Sequence, residues 1–367
     1  MFERRLNLLR ALMDERGYDA AVLRNVADIR WLTGAARVFD NETAHTAFIT
    51  ADSALLHTDS RYFGALVSAL GADSEWVVDQ ETTLHPQWVA QKVASCKARV
   101  VAVEDTITLG WFERLEAELG RASMACLLPR MHDDVARMRI VKDESELDIL
   151  RRAQAVTDAA FTHMVAYVRA GLSELAVRAE LEGYMLSHGA DALAFDSIIA
   201  TGPNGANPHA RPSSAVLAEG DMVVMDFGAS LMDYQSDMTR TICVGTPGDE
   251  QRRVYDVVRK AHEEAARAAY PGILGKDLHN VAARVIEESG YGDYFKHGLG
   301  HGVGIDIHEL PNASIRGDAP LVEGSVFTIE PGVYLPGKFG VRLEDCGVMG
   351  PNGYDPFTQS THDLVCV

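Results

Sequence analysis

Five residues of this chain have the types and spacing to do chemistry together: Asp226, Asp237, His301, Glu330 and Glu344. Asp226 and Glu330 each close an apolar run, MVVM and VFTI, where an unpaired carboxylate is costly to bury. Strand alternation puts Asp237, Thr239 and Thr241 on one face of MDYQSDMTRT, and Arg342 beside Glu344 on one face of VRLED. Four converging acids without cations repel one another. A pair of divalent ions resolves the conflict: hard oxygen ligands plus one imidazole suit Mn2+, Co2+ or Zn2+, with carboxylates bridging. The competing account leaves each acid salt-bridged or exposed on its own.

Other motifs nearby have plainer readings. His209, in GPNGANPHARPS, reads by itself as a surface-loop histidine. His301 and His308 do not form HExxH, so they imply no zincin site. Glycines 298, 300, 302 and 304 of GLGHGVG lack the spacing of a phosphate loop; close backbone approach beside His301 explains them better. Cys243 and Cys346, in phase with Asp237 and Glu344, read as small buried hydrophobes.

The elements that must position these groups show a faint internal repeat. Glu219-Gly220 precedes the run MVVM, Asp226 and Gly228, and Glu323-Gly324 precedes VFTI, Glu330 and Gly332. Each unit follows a pair of helical patterns, 144–188 and roughly 250–289, and precedes a strand with a further acid, Asp237 or Glu344. Two such halves facing each other bring four carboxylates to one point. Asp143 or Ser145 caps the first long helix, with Leu147, Leu150, Phe161, Met164, Val165 and Val168 on its apolar face and Gly171 at its end. Ser173 caps a second helix, to about Gly189.

Upstream, residues 1–135 alternate helical patterns with short apolar runs, including Ala20–Leu23, Ala47–Thr50 and Val100–Val103. That predicts a small α/β domain, with Val135–Ile140 crossing into a second domain over 136–367. A length of 367 residues favours two domains.

Lys and Arg number 34 against 53 Asp and Glu, a net charge of −19, which argues against nucleic acid as a partner. Five scattered cysteines without a CxxC pair predict reduced thiols in a cytoplasmic protein. The N-terminal MFERRLNLLRALMDERGYD reads as an amphipathic helix and not a signal peptide, and no segment reaches the length of a membrane span.

The strings MDFG, SDMTRT, GHGVGIDIHE, IEPG and RLED resemble the pita-bread metallopeptidases: methionine aminopeptidase, aminopeptidase P and prolidase. The order Asp–Asp–His–Glu–Glu, at spacings of 11, 64, 29 and 14 residues, is similar to their five metal ligands. NVADIRWLTG, HTDSRYFGAL and VKDESELDILRRA resemble the N-terminal domain and crossover of the aminopeptidase P and prolidase branch. The resemblance implies an α+β chain: a creatinase/prolidase-like α/β domain over 1–135, then a pita-bread catalytic domain of duplicated ααβ halves over 136–367. It implies cleavage of the Xaa-Pro bond at the N-terminus of dipeptides or short peptides, with two divalent ions, Mn2+ foremost.

Residue by residue, the resemblance implies that Asp226 and Asp237 hold one ion and His301 and Glu330 the other, Asp237 and Glu344 bridging. Glu330 would also carry the proton to the leaving proline nitrogen. His209 and His308 would bind the substrate carbonyl, and Arg342 and Thr239 would support substrate or ligands. A homodimer is implied, in which the segment 25–45 partly walls the partner's site. The length argues against methionine aminopeptidase, which lacks a domain like 1–135. Creatinase-like C–N hydrolysis and non-catalytic binding modules go with loss of the ligands, and all five are present here; metal-dependent action on other small molecules stays open. Asn312, where some prolidases carry an arginine for the dipeptide carboxylate, leaves dipeptidase and aminopeptidase both open.

Overall fold

Alanine, valine and leucine fill the Ala20–Leu23 strand, and all four of its residues are buried, as a strand covered on both faces requires. In the computed structural model, which describes residues 2–40, 42, 44–80 and 82–367, this strand lies inside a mixed five-stranded sheet. Its order is Trp76–Asp79, Ala54–His57, Thr46–Thr50, Ala20–Leu23, Val101–Val103. Trp88, Val89 and Val93 of the helix His85–Cys96, with Trp111 and Leu115 of Leu109–Arg121, pack against Val22, Phe48 and Val101. The sheet belongs to the first of two compact units, Met1–Arg139 and Ile140–Val367. The stretch 135–140 is not a plain crossover: a short helix, Asp134–Met138, closes the first unit.

In the loop 36–45 the aromatic residue faces inward. Phe39 is buried with its ring edge-on to His45, and its carbonyl accepts a hydrogen bond from Arg30 Nη2. It packs inside its own unit instead of projecting from the loop; Asn41 and Thr43 lie outside the described residues.

The second unit is built twice on one plan. Asp143 opens the helix Glu144–Tyr167 through a capping box: its carboxylate accepts from the Ser145 and Glu146 amides while Glu146 accepts from the Asp143 amide. Ser173 caps Glu174–Ser187 by accepting from the Ala176 amide. Phe161, Met164, Val177 and Leu181 of this pair pack on Val223, Met225 and Ile242. The first helix stops at Tyr167, short of Gly171, because Val168 already has extended backbone at φ −66°, ψ 135°. In the second half, Val254, Val258, Leu278 and Ile286 of Asp249–Ala268 and Gly275–Glu288 pack on Phe327 and Ile329.

The first helix pair carries a sheet ordered Met238–Cys243, Met222–Phe227, Ile198–Thr201. The five-stranded sheet of the second half is ordered Glu309–Ala313, Gly300–Gly302, Val326–Ile329, Asp345–Gly350, Gly353–Pro356. The halves are stitched where the acids gather. The Glu344 amide donates to the Thr239 carbonyl at 3.1 Å, and the Thr241 hydroxyl donates to the Arg342 carbonyl at 2.9 Å. Arg342 and Glu344 do not share one strand: Phe339–Arg342 ends and Asp345–Gly350 begins, leaving Leu343 and Glu344 in the crossing. Among the described residues, no helix is long and apolar enough to cross a membrane.

Candidate metal centre

Each carboxylate arrives on a different local device. Asp226 sits in the Met222–Phe227 strand, opposite Thr239 on one side and Ile198 on the other. Asp237 immediately precedes the Met238–Cys243 strand, and Glu330 follows Val326–Ile329, its amide donating to the Leu299 carbonyl at 2.7 Å. His301 is central in Gly300–Gly302, whose glycines let neighbouring backbone approach closely. A Cβ on Gly300 would fall 1.9 Å from the Thr328 carbonyl oxygen, and one on Gly302 would fall 2.2 Å from that of Leu310. The GLGHGVG glycines therefore bring the His301 strand tight against its neighbours, as their spacing led us to expect.

Asp226, Asp237, His301, Glu330 and Glu344 line one cavity of about 470 Å3. Ligand atoms of Asp237, His301 and Glu344 lie within 4.8 Å of one another. His301 Nε2 is 3.6 Å from Asp237 Oδ2 and 3.5 Å from Glu330 Oε1. Its Nδ1 faces the Gly302 carbonyl at 3.1 Å; a carbonyl only accepts, so Nδ1 carries the proton and Nε2 presents a lone pair to the carboxylates. Burial holds His301 down at about 4, with His308 adding to the shift, so the ring is neutral.

The acids are strained electrostatically. Burial, then the neighbouring carboxylates led by Glu344, pushes Asp237 and Glu330 well above the usual carboxylate range. Burial and Asp226 raise Glu344 to about 8. Arg342, 3 % exposed, is the fixed cation: Nη2 donates to Asp226 Oδ2 at 2.5 Å and Nη1 to the Tyr334 hydroxyl at 2.8 Å. One guanidinium does not balance four acids, and Asp226 Oδ1 is buried without a hydrogen-bond partner. Oxygen-rich donors, one imidazole with a free lone pair and an orphaned carboxylate oxygen fit divalent cations.

The remaining predicted residues fall in two places. His308 and His209 reach the cavity wall, the His308 ring edge-on to His301 at 4.1 Å between centroids. His209 is exposed, as expected of a loop residue, yet it lines the cavity. Thr239 is fully buried behind the wall, donating to Glu344 Oε2 at 2.7 Å and accepting from Arg342 Nε at 2.9 Å. It steadies a ligand and does not face the cavity.

Two polar residues escaped the sequence reading. His297 lines the cavity, with Nδ1 donating to the Gly298 carbonyl at 2.8 Å and Nε2 within 3.1 Å of the Tyr334 hydroxyl. Tyr334 thereby links His297 to Arg342. The HGLGH string, with its two histidines four apart, was the available signal for His297. Phe195, Ile198 and Ile307 give the cavity its apolar portion, which no motif announced.

Comparison with known proteins agrees with this geometry. The Metallopeptidase family M24 profile matches residues 148–351, and the Creatinase/Prolidase N-terminal domain profile matches residues 5–141. An Xaa-Pro dipeptidase of Lactobacillus delbrueckii subsp. lactis is 34% identical over 366 residues, covering 98% of each chain. A solved Xaa-Pro dipeptidase from Bacillus anthracis superposes with a TM-score of 0.92 at 32% identity over 100% of both chains. An X-Pro aminopeptidase from Thermotoga maritima gives 0.85 at 34% identity, over 96% of this chain and 99% of that one. With a creatinase/prolidase-type N-terminal domain ahead of a pita-bread domain, the chain belongs to metallopeptidase family M24.

Proposed function

We propose that the protein is a peptidase that hydrolyses Xaa-Pro dipeptides, on a centre formed by Asp226, Asp237, His301, Glu330 and Glu344. The observation that carries this reading is the convergence of these five donors on one cavity with an apolar side, in a chain similar over its full length to Xaa-Pro dipeptidases. Phe195, Ile198 and Ile307 offer a proline ring an apolar surface. In this reading Asp226, Asp237, His301, Glu330 and Glu344 would hold two divalent ions, Asp226 and Asp237 serving one and His301 and Glu330 the other; Mn2+ is the ion we favour. When bound, the ions supply Lewis acidity and an acidified water.

The chain's own groups supply the rest. Glu330 takes a proton at a carboxylate oxygen and delivers it to the leaving proline nitrogen. His308 is held neutral mainly by burial, so one ring N–H is available to the oxygen that becomes negative as the peptide carbon turns tetrahedral. His209 supports the same carbonyl from the opposite loop. Arg342 and Thr239 keep Asp226 and Glu344 aimed inward.

Cleavage of longer Xaa-Pro-Xaa peptides is favoured by one feature. Arg342 is the sole Lys or Arg on the cavity wall among the described residues, and it is committed to Asp226 and Tyr334. Asn312 and Ser314 offer a substrate carboxylate only neutral groups. We further propose a cytoplasmic homodimer, a location consistent with five free cysteines, with residues 1–135 serving the partner's site. The test is hydrolysis of Xaa-Pro and Xaa-Pro-Xaa peptides by Mn2+-loaded protein with and without EDTA. We expect both to be cut and chelation to stop it; no cleavage of either, or activity indifferent to EDTA, rejects the reading.

A further inference from the structure

Away from the cavity lies a second cluster of metal-ligating side chains. His262, from the helix Asp249–Ala268, Asp345, from the strand after Glu344, and His362, from the C-terminal segment, bring ligand atoms within 4.8 Å of one another. His362 Nε2 is 2.8 Å from Asp345 Oδ2, and His262 Nε2 is 3.5 Å from that same oxygen. The two imidazole rings stand 4.7 Å apart at 61°.

Hydrogen bonding does not account for the arrangement. His262 is 1 % exposed, and its Nε2 is aimed at Asp345 with no hydrogen-bond partner. A buried ring nitrogen left in that state is costly. The other oxygen of Asp345 is turned to Arg240, whose Nη2 donates to Oδ1 at 2.8 Å. Arg240 itself is fixed by carbonyls of Thr239, Glu344, Ser360 and Thr361, so its charge stays on the far side of the carboxylate. Asp345 thus presents Oδ2, oriented through Oδ1, toward two imidazole nitrogens, of which His362 Nε2 is within hydrogen-bond distance and His262 Nε2 is not bonded. Carboxylate ligands of metals are held in this way by second hydrogen bonds.

The spacing suits a small tetrahedral ion. With bonds of about 2.1 Å, ligand atoms of a tetrahedral zinc site stand about 3.4 Å apart. The 3.5 Å between His262 and Asp345 already matches that edge, and His362 needs to draw back by roughly half an ångström. His362 is half-buried, with 32 % of its side chain exposed, so the site has an approach from solvent and room for water as a fourth ligand.

We propose that His262, Asp345 and His362 form a distinct site for a zinc-class divalent ion, which pins the C-terminal segment to the helix Asp249–Ala268 and to the strand after Glu344. Two imidazoles and one carboxylate select Zn2+ or Co2+ over Mn2+, the reverse of the oxygen-rich cavity centre. The proposal stands independently of the peptidase reading.

Equilibrium dialysis of the full chain against Zn2+, with elemental analysis, tests it. His362→Gln and, separately, His262→Gln are expected to bind one fewer equivalent per chain than wild type, and His362→Gln to keep its Mn2+-dependent peptidase activity. The same one-equivalent difference is expected when His362→Gln is added to an Asp226→Asn/His301→Gln background, where the cavity centre is crippled. With Co2+, the lost equivalent carries the intense visible absorption of tetrahedral coordination. Equal zinc in wild type and both histidine variants overturns the proposal. If the His362→Gln difference persists while the cavity binds nothing, the cavity reading falls and this one stands.

Discussion

Glu330 meets two demands at once: it lies among like charges that resist its ionisation, and in the proposed reaction it takes up and gives back a proton. Thr328 Oγ1, 3.3 Å from its Oε1, and the Leu299 carbonyl on its amide hold it in place. Glu330→Gln preserves that shape while removing the charge and the proton acceptor, so kcat is expected to fall by about 10²-fold or more. Near-normal turnover in this variant, measured at saturating Mn2+, would take Glu330 out of the chemistry. His308 supplies the complementary experiment. His308→Ala is expected to leave metal content intact and to lower kcat/KM by about 10²-fold to 10³-fold, the span of lost oxyanion donors. A parallel loss of bound metal would make His308 a ligand. The four acids were legible in the sequence because they recur in a doubled pattern, two of them closing apolar strands, whereas His301 was singled out by the motif resemblance. His297 and Tyr334 were not, since a histidine in a loop or a tyrosine in a strand has a cheap structural explanation and only the third dimension joins them to Arg342.

Strands and helices were legible where periodicity and caps agreed. The Asp143 and Ser173 caps fall where the sequence placed them, and Ala20–Leu23 is a strand with those bounds. The misses occur where local rules are overridden by neighbours: the first long helix ends at Tyr167 without waiting for glycine, and Glu344 leaves its strand to reach Thr239. The Gly300–Gly302 strand tests how tightly element geometry controls the site. A methyl group on Gly300 would lie 1.9 Å from the Thr328 carbonyl oxygen, which is backbone and cannot swing away. Gly300→Ala is therefore expected to force apart the strands carrying His301 and Glu330. Overpacking of this kind costs about 1–3 kcal/mol, and isothermal titration is expected to show weaker Mn2+ binding. Unchanged affinity and melting temperature would mean that the strands have slack.

Across the whole molecule the two units can be watched separately, because all four tryptophans (Trp31, Trp76, Trp88 and Trp111) belong to the first. That unit buries Glu104, whose Oε2 accepts from the Asn25 amide at 2.7 Å, and burial pushes its carboxyl up to about 7. The unfolded side chain ionises near 4.5, so between those values the folded state holds more protons and stability falls as pH rises. The full stabilisation is present below about 4.5 and is lost by about 7, a difference of up to about 3 kcal/mol. Denaturation followed by tryptophan fluorescence is expected to show this decline, and Glu104→Gln to flatten it. A wild-type profile level from pH 5 to pH 8 would contradict the assignment.

Arg240 gives the molecule a timetable. Its guanidinium binds the Glu344 carbonyl at 2.6 Å and the Ser360 and Thr361 carbonyls at 2.8 and 3.0 Å, while Cys243 exchanges backbone hydrogen bonds with Val365 and Val367. During synthesis, Asp226, Asp237, His301, Glu330 and Glu344 all leave the ribosome before these last partners do. A chain halted at residue 359 therefore owns every donor of the cavity but lacks the two carbonyls, of Ser360 and Thr361, that hold Arg240 against the Glu344 backbone.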